Sequence, residues 1–375
     1  MSNKSSALPG DIRKFELFQA KDGGNSIDAS GAVVDIKYYE DILSNSVSLS
    51  AIITESGESD NDKLGNKGIL DGLPIRGGEP SNIVIADHDK NVLKFADDNK
   101  LYVNRVRNVI SGTQKDVYSI DFTSREMLAN EQCRVVKRYD GKISENIKKI
   151  LTEATSAEVG IKTKKEVTVD ETAINYNFIG NDRKPFYVCT WLASKSIPAQ
   201  AGKVGGSAGY VFYETYDGYN FRSLDALAEQ ESKGNYLFSN TDDIPPEYTA
   251  KILNYDIDRD IDLQNNLTIG AYANRTLFFD FYAYNYKVRN YSVDESGGAD
   301  NNKGAGSKGK IVNLGEDEIN SVADEFRLPV SRLMNRVLDV GTLPAGKDID
   351  EQLKTWKDSP FDPTYDSTKT MVQSV

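Results

Sequence analysis

The chain has 375 residues, a formal net charge of −12, and charged and hydrophobic fractions of 27% and 39%. The acidic balance argues against a protein that binds a nucleic-acid backbone, because such binding needs clustered Lys and Arg. The length exceeds that of a typical single core, so two or three domains are expected. The start of the chain has no apolar signal core, and no apolar run approaches the ~20 residues that cross a bilayer. These features predict a chain that folds in a cytoplasm without membrane insertion.

A small inventory of reactive side chains limits the possible chemistry. His88 is the single histidine, and Cys133 and Cys189 are the two cysteines. A Ser-His-Asp or Cys-His mechanism would need His88, which follows a strand-like run in an acidic turn. Two cysteines form no disulfide or zinc framework, and Cys189 is expected to be a small buried core residue. We therefore expect no catalytic residue, no cofactor and no metal site.

The first 122 residues have the alternating pattern of β-strands. In residues 46–53, apolar side chains alternate with serines, which predicts one buried face, formed by Val47, Leu49, Ala51 and Ile53. Further along, the apolar parity shifts between Val103 and Val106, which predicts a β-bulge. Short strands separated by turn signals indicate a small barrel or sandwich. We assign residues 1–122 to a first tube-like β-barrel domain.

Residues 123–206 are predicted to form a helix-containing middle domain. Thr123 and Glu126 fit a capping box, in which Thr123 caps a helix and Glu126 reaches back to its amide. A second helix is predicted from an apolar face that contains Ile147, Ile150 and Leu151. A third helix begins with Pro185, which suits the first helical position, and places on one face Val188, Trp191, Leu192 and Lys195.

Residues 207–375 are predicted to form a second tube-like domain with inserted helices and loops. It begins with a hairpin over residues 209–224, where two β-rich runs are separated only by Asp217 and Gly218. Asp-Gly at this position is typical of a two-residue type I′ turn. Residues 277–288 are aromatic on both faces, which predicts a strand buried on both sides. The complete chain is therefore predicted to be α+β, with mainly antiparallel β-structure.

Several motifs imitate ligand sites but lack an essential part. Residues 60–65 start like an EF-hand loop, but Leu64 occupies a ligand position. Residues 304–310 resemble a phosphate loop, but Ile311 stands where Ser or Thr should hold magnesium. Four alternating aspartates would all point the same way on a strand, so we interpret them as a solvated acidic segment: Asp256, Asp258, Asp260 and Asp262.

Paired carboxylates leave a glycan-directed alternative open. Glycoside hydrolysis needs two acids at a suitable separation, and Glu214 and Asp217 on the predicted hairpin are the first candidates. A glycan-binding module with an aromatic platform is the non-catalytic form of this alternative. Because the chain contains 57 acidic residues, such pairs also arise by chance. We favour a structural protein over a glycan-cleaving or glycan-binding one.

Three segments carry a resemblance to a known family: residues 177–186, 189–198 and 209–224. Together they resemble the baseplate hub protein of contractile-tailed bacteriophages, and especially that of the T-even-like phages, including those of cyanobacteria. Residues 129–139 and 270–280 agree with this resemblance. The last residues of the chain stop where further strands of such a hub are expected, which leaves closure of the second tube domain open.

The resemblance implies a homotrimeric ring with two tube domains per subunit. Such a ring adapts the hexameric tail tube above to the trimeric, cell-puncturing spike below, which often carries a lysozyme domain. It implies a place in the virion tail baseplate, assembly in the host cytoplasm, contacts with other baseplate proteins, and a lumen through which DNA passes during genome ejection without specific binding. A net acidic lumen would repel that DNA.

Within this family pattern, one set of residues is predicted to form the structural or interface signature. The set comprises the aromatic and turn residues of the helix-hairpin unit: Trp191, Tyr210, Phe212, Tyr216, Asp217, Gly218, Phe221 and Arg222.

Overall fold

A computed structural model describes most of the first 230 residues and shorter segments beyond them. The described ranges are 10–19, 25–55, 67–86, 92–112, 115–173, 175–196, 198–199, 209–232, 234–239, 248, 250–252, 254–256, 262–269, 273–280, 284–292 and 332–337. Several predicted features lie outside these residues: His88, Asp258, Asp260 and the motifs over 60–65 and 304–310.

The amino-terminal part forms two four-stranded sheets. Their strands are β1 (Asp11–Phe18), β2 (Ser26–Asp28), β3 (Val33–Tyr39), β4 (Ser48–Glu55), β5 (Ser81–Ala86), β6 (Val92–Phe95), β7 (Leu101–Ser111) and β8 (Asp116–Ser124). One sheet has the order β2-β1-β5-β6 and the other β3-β4-β8-β7. A short helix, α1 (Ile69–Gly72), and 3-10 turns at Ser30–Ala32 and Asp97–Asn99 connect strands.

The two sheets share one apolar core. Phe15 of β1 packs edge-on against Phe122 of β8, with ring centroids 5.7 Å apart. The alternation predicted for residues 46–53 is confirmed, because all four of its apolar residues are buried: Val47, Leu49, Ala51 and Ile53. Burying each large apolar side chain contributes about 1.5–3 kcal/mol, so this face fixes the register of β4.

The predicted bulge in β7 is confirmed. The pairing of β7 with β8 shifts between Val103 and Arg105, and it shifts again between Arg107 and Ile110. Asn108, inside the second irregularity, has a φ of 51°. The extra residues rotate the outer end of β7, so that two arginines reach the same cross-strand carboxylate, that of Asp121.

A second core follows, built from helices and short strands. The helices are α2 (Arg125–Gln132), α3 (Ile143–Thr152) and α4 (Pro185–Ala193), and the strands are β9 (Arg138–Tyr139), β10 (Glu166–Val169), β11 (Phe178–Ile179), β12 (Tyr210–Thr215) and β13 (Gly218–Ser223). The sheets have the orders β11-β9 and β10-β13-β12, and β10 runs parallel to β13. The buried face predicted for α3 and the first-turn Pro185 of α4 are both confirmed.

The predicted capping box of α2 is wrong. Thr123 belongs to β8 and pairs with Tyr102 and Ser48, while Ser124 is the N-cap and makes no side-chain cap hydrogen bond. Glu126 is buried and bonds to residues of the second core. The sheet therefore fixes the backbone of Thr123, and buried partners outcompete the local cap for the Glu126 carboxylate.

The hairpin over residues 209–224 is confirmed, but its predicted type I′ turn is wrong. Thr215 pairs with Gly218, so the two turn residues are Tyr216 and Asp217, and neither has a positive φ. Gly218 is the first residue of β13, with a φ of 146°. A Cβ there would lie 2.2 Å from the carbonyl oxygen of Glu166. Glycine is required at this position by the close approach of β10.

The remaining described elements lie beyond the hairpin. They are α5 (Leu224–Ala228), β14 (Tyr236–Phe238), β15 (Ala250–Ile252), α6 (Leu263–Ile269), β16 (Ala273–Asp280), β17 (Asn285–Ser292) and β18 (Arg332–Val337). The single strand predicted over 277–288 is wrong, because the chain reverses between Asp280 and Asn285 to form an antiparallel pair. Phe279 and Tyr286 are 37% and 60% exposed, so burial on both sides is also wrong there.

The predicted α+β class is confirmed. Most strand pairs are antiparallel, and the parallel pairs among the described strands are β10–β13, β14–β15 and β16–β18. Helices of the described part are too short or too polar to span a bilayer. The predicted domain limits at 122 and 206 remain predictions. The hairpin over 209–224 packs in the same core as α3 and α4.

Candidate functional site at the junction of the two cores

The most unusual feature of the molecule is a carboxylate buried between the two cores. Glu214 lies on β12, and its side chain is 0% exposed. Its Oε2 accepts a hydrogen bond of 3.0 Å from the backbone N–H of Val47, in the first core. Its Oε1 accepts one of 2.7 Å from Lys165 Nζ, whose side chain is 4% exposed. One side chain therefore joins the first core to the second.

A second carboxylate shares the same ammonium group. Glu126 Oε2 lies 3.8 Å from Lys165 Nζ and has no hydrogen-bond partner. Glu126 Oε1 accepts a bond of 2.9 Å from Thr163 Oγ1 and lies 3.5 Å from Nη2 of the half-exposed Arg125. Two buried carboxylates thus depend on one buried ammonium, and solvent-exposed Arg125 compensates the second only weakly.

A layer of hydroxyl groups completes the junction. Ser46 Oγ lies 3.1 Å from Thr123 Oγ1 and 3.2 Å from Ser124 Oγ. Ser124 Oγ is in turn 3.5 Å from the hydroxyl of Tyr219 on β13. Burial, followed by the charges of Glu214 and Glu126, raises the pKa of Tyr219 well above its usual value. The phenol therefore remains neutral at the junction.

The turn of the hairpin makes a second connection between the cores. The backbone N–H of Tyr216 donates a 2.7 Å bond to Glu40 Oε1, and its hydroxyl accepts a 3.1 Å bond from the N–H of Lys94. Its ring packs edge-on against Phe95 at 5.5 Å. The β12–β13 hairpin is therefore fixed to the first core both along its strand and at its tip.

Most of the other predicted signature residues make their contacts within the second core. Tyr210, Phe212 and Phe221 are buried in the second core, and the Tyr210 hydroxyl donates to the Glu171 carbonyl. Trp191 packs edge-on against Tyr176 and Phe178. Arg222 Nε lies 3.4 Å from Asp170, and Asp217 is exposed at the turn. Most of these side chains hold this unit together.

The two carboxylates of the glycan-cleaving alternative do not share an environment. Glu214 is buried with both oxygens bonded, whereas Asp217 is exposed at the hairpin turn. General acid–base catalysis needs a carboxyl group that can reach the substrate. In this arrangement Glu214 connects structural elements. Among the described residues, no group of three or more His, Cys, Asp and Glu side chains is arranged to hold a metal ion.

Part of this junction, the burial of Glu214, can be predicted from the sequence. Tyr210, Phe212 and Glu214 have the same parity on a strand, so burial of the first two implies a buried carboxylate that needs a cation. Nothing local identifies Lys165 as that cation, because it lies in a polar segment without clear periodicity. Val47 contributes its backbone N–H, which no side-chain pattern can reveal.

No family model and no curated protein matches the chain. Among solved structures, it is similar to a tail protein from Neisseria meningitidis (12% identity, 93% of this chain and 78% of that one, TM-score 0.41). It is also similar to a 43 kDa tail protein of prophage MuSo2 from Shewanella oneidensis (11% identity, 62% of this chain, TM-score 0.39). The matched region spans 57% of the Shewanella protein.

A third similar structure comes from a secretion system. It is an E. coli type VI secretion component described as structurally similar to the T4 bacteriophage tail proteins gp27 and gp5 (11% identity, 61% of this chain and 49% of that one, TM-score 0.28). These structural neighbours are thus two tail proteins, one of them from a prophage, and a type VI secretion protein. All three TM-scores are below 0.5, a level of likeness that does not by itself establish a function.

Proposed function

We propose that the chain is the structural hub of a contractile phage tail baseplate. Three copies form a ring that adapts the hexameric tail tube to the trimeric cell-puncturing spike. The observation that carries the proposal is the junction at Glu214, where buried bonds connect a β-sandwich to a helix-hairpin unit. An adaptor that matches two symmetries and transmits force needs a fixed shape, and a buried ionic connection between cores supplies it.

The family resemblance supports the same function. Its strongest segments include residues 189–198 and 209–224, which largely form α4 and the β12–β13 hairpin. Their aromatic side chains pack against one another inside the second core, as in the Phe186–Phe212 pair, at 5.4 Å between ring centroids. A unit of this kind gives shape to a subunit of an assembly.

The outer face of the β3-β4-β8-β7 sheet suits a solvated wall. One row across this sheet consists of Lys37, Ser50, Asp121 and Arg105. Both cations of the row are paired with carboxylates, Lys37 with Asp35 and Arg105 with Asp121, so the row has no strong affinity for a phosphate backbone. We propose that DNA passes such a wall without specific binding. Tight DNA binding by the ring at moderate salt would contradict this part of the proposal.

The test is the mass of the assembled protein. We expect light scattering coupled to gel filtration to give three times the chain mass, alone or together with the spike protein of the same phage genome. Electron microscopy of the complex should then show the spike on the threefold axis. A stable monomer that binds neither spike nor tail tube would contradict the proposed function.

A degradation assay separates this function from the glycan-cleaving alternative. We expect no breakdown of peptidoglycan or polysaccharide by the wild-type protein. If breakdown occurred and were lost in both Glu214→Gln and Asp217→Asn, while a folded state persisted, the enzyme reading would replace the structural one.

A further inference from the structure

An exposed apolar projection stands at one end of the β-sandwich. Ile42 and Leu43, in the loop between β3 and β4, are 45% and 81% exposed. Glu40 and Asp41 precede them in the same loop, and Asp217 lies near Glu40, whose carboxylate accepts a bond from the backbone N–H of the adjacent Tyr216. We call these five residues the acidic knob: Glu40, Asp41, Ile42, Leu43 and Asp217.

The backbone of the acidic knob is held in one conformation. Asp41 Oδ1 accepts a 2.8 Å bond from the N–H of Leu43, and the Asp41 carbonyl accepts one from Ser44. Ser44 Oγ donates to the carbonyl of Ser46, whose own hydroxyl contacts Thr123. The loop therefore presents Leu43 to solvent in a fixed position. A preorganised apolar contact loses little conformational entropy on binding.

Among the residues that the structure describes, no cation is paired with the carboxylates of the acidic knob. Glu40 accepts bonds from the Tyr38 hydroxyl and the Tyr216 N–H, and Asp41 bonds to its own loop. No ion pair between described residues involves Glu40, Asp41 or the exposed Asp217. The acidic knob therefore combines three negative charges with two exposed apolar side chains.

The second core carries a surface of opposite character. Val136 and Ile179 are 45% and 44% exposed. Arg134, Lys137 and Arg183 lie next to them. The backbone of Val135 forms a β-bridge with that of Arg183, and Ile179 is paired with Arg138, so the two segments run side by side. We call these five residues the basic patch: Arg134, Val136, Lys137, Ile179 and Arg183.

The cations of the basic patch bond to neutral groups. Arg134 and Lys137 donate to the carbonyls of Cys133 and Ala154, and Arg183 lies over the ring of Tyr187 at 5.5 Å. None of the three forms an ion pair with a described carboxylate. The neighbouring Arg138 and Lys184 are, in contrast, paired with Asp140 and Glu131.

We infer that the acidic knob of one copy binds the basic patch of the next copy. Each surface has two exposed apolar side chains and three charges without an ionic partner, and the signs are opposite. An apolar centre within a charged rim is the usual anatomy of a specific interface. Two different surfaces that bind each other give a head-to-tail contact, which closes into a ring when the rotation between successive copies is a third of a turn. This inference rests on the proposed ring and names the surfaces that form it.

Two double variants of the full chain test the contact. The knob variant carries Leu43→Ser and Asp217→Lys, and the patch variant carries Val136→Ser and Lys137→Glu. All four side chains are exposed, so folding should be preserved. In sedimentation experiments we expect each variant alone to be monomeric, with association weakened by at least about tenfold.

Mixing the two variants gives the decisive measurement. The knob variant retains an intact basic patch, and the patch variant retains an intact acidic knob. We therefore expect a 1:1 heterodimer in the mixture, which cannot close into a ring, and weaker association as salt is raised. The matched control, with Val34→Ser and Asp71→Lys at exposed positions outside both surfaces, should assemble like the wild type.

The outcomes separate this inference from the proposed function. If the wild type forms a ring and both variants do so equally well, the contact is wrong and the hub proposal stands. The same conclusion follows if the mixture gives no heterodimer, or if the control variant loses assembly to the same extent. If the wild type remains monomeric even with the spike and tail tube proteins, both proposals fail.

Discussion

At the residue scale, Glu214 matters because it is buried and both of its oxygens are bonded. Its two partners come from different cores, the Val47 N–H from one and the Lys165 ammonium from the other. Breaking a buried pair leaves the remaining charge without compensation, which destabilises more than the intact pair stabilises.

We predict that Glu214→Ala lowers the free energy of unfolding by about 3–5 kcal/mol. The variant leaves a buried ammonium and a buried N–H without their main acceptor. Urea unfolding followed by circular dichroism measures the loss. Asp217→Ala, on the same hairpin but exposed, is the matched control and should change stability by less than about 0.5 kcal/mol. Equal losses in the two variants would contradict the assigned role of Glu214.

The second buried carboxylate should respond differently. Glu126→Gln removes one of two negative charges around Lys165 and keeps an acceptor for Thr163. We expect it to change stability by at most about 1 kcal/mol, because the loss of attraction is offset by a smaller desolvation penalty. Urea unfolding of Glu126→Gln and Glu214→Gln compares their free energies of unfolding. A larger loss for Glu126→Gln would mean that Glu126, and not Glu214, forms the main ion pair with Lys165.

At the scale of elements, the parallel pairing of β10 with β13 requires a glycine at position 218. We predict that Gly218→Ala costs about 3 kcal/mol or more, since the new Cβ would overlap the Glu166 carbonyl at a left-handed φ. Gly31→Ala, where an added Cβ meets nothing within 4 Å, should be nearly neutral. The denaturant midpoints of the two variants measure this difference. Similar midpoints would contradict the prediction, because they would show that β10 and β13 move apart at no energetic cost.

Asp121, on the outer face of the β3-β4-β8-β7 sheet, should make the free energy of unfolding depend on pH in the acidic range. Burial alone would raise the pKa of Asp121, but bonds from Arg107, Ser50 and Arg105 outweigh it and lower that pKa. The folded state then binds protons less readily than the unfolded state. The stabilisation is complete above the usual Asp value of ~4 and disappears as the pH falls through the lower folded-state pKa.

We therefore predict that the stability of Asp121→Asn falls less steeply with decreasing pH than that of the wild type. Thermal unfolding measured between about pH 5 and pH 2 should show the wild type losing more stability than the variant over this range. Asp71→Asn, at an exposed position in α1, is a suitable control. If the two pH profiles run parallel, the cross-strand bonds to Asp121 do not contribute.

Local patterns predicted the elements whose environment is set by their own periodicity. The alternation in β4, the parity shift in β7 and the apolar face of α3 each reflect one buried side, and all three were predicted correctly. The errors arose where distant segments decide. Thr123 is held by neighbouring strands, and Gly218 is needed by β10, which lies far earlier in the chain. The Lys165–Glu214 pair was missed for the same reason.

At the scale of the molecule, the junction should couple the unfolding of the two cores. We expect calorimetry of the wild type to show one transition for both cores, and Glu214→Ala to separate it into two. The Val47 amide should exchange its hydrogen faster in that variant, because its acceptor is removed. Two resolved transitions in the wild-type protein would mean that the cores unfold independently.

The parallel pair of β10 and β13 also affects how the chain matures during synthesis. The sandwich is complete once residue 124 has left the ribosome, whereas β10 has no strand partner until β13 follows. During that interval Glu126 and Lys165 have been translated but Glu214 has not. The bonds from Val47 and Lys165 to Glu214 can therefore form only after the hairpin has been translated, so the hairpin is the last part of the junction to become available.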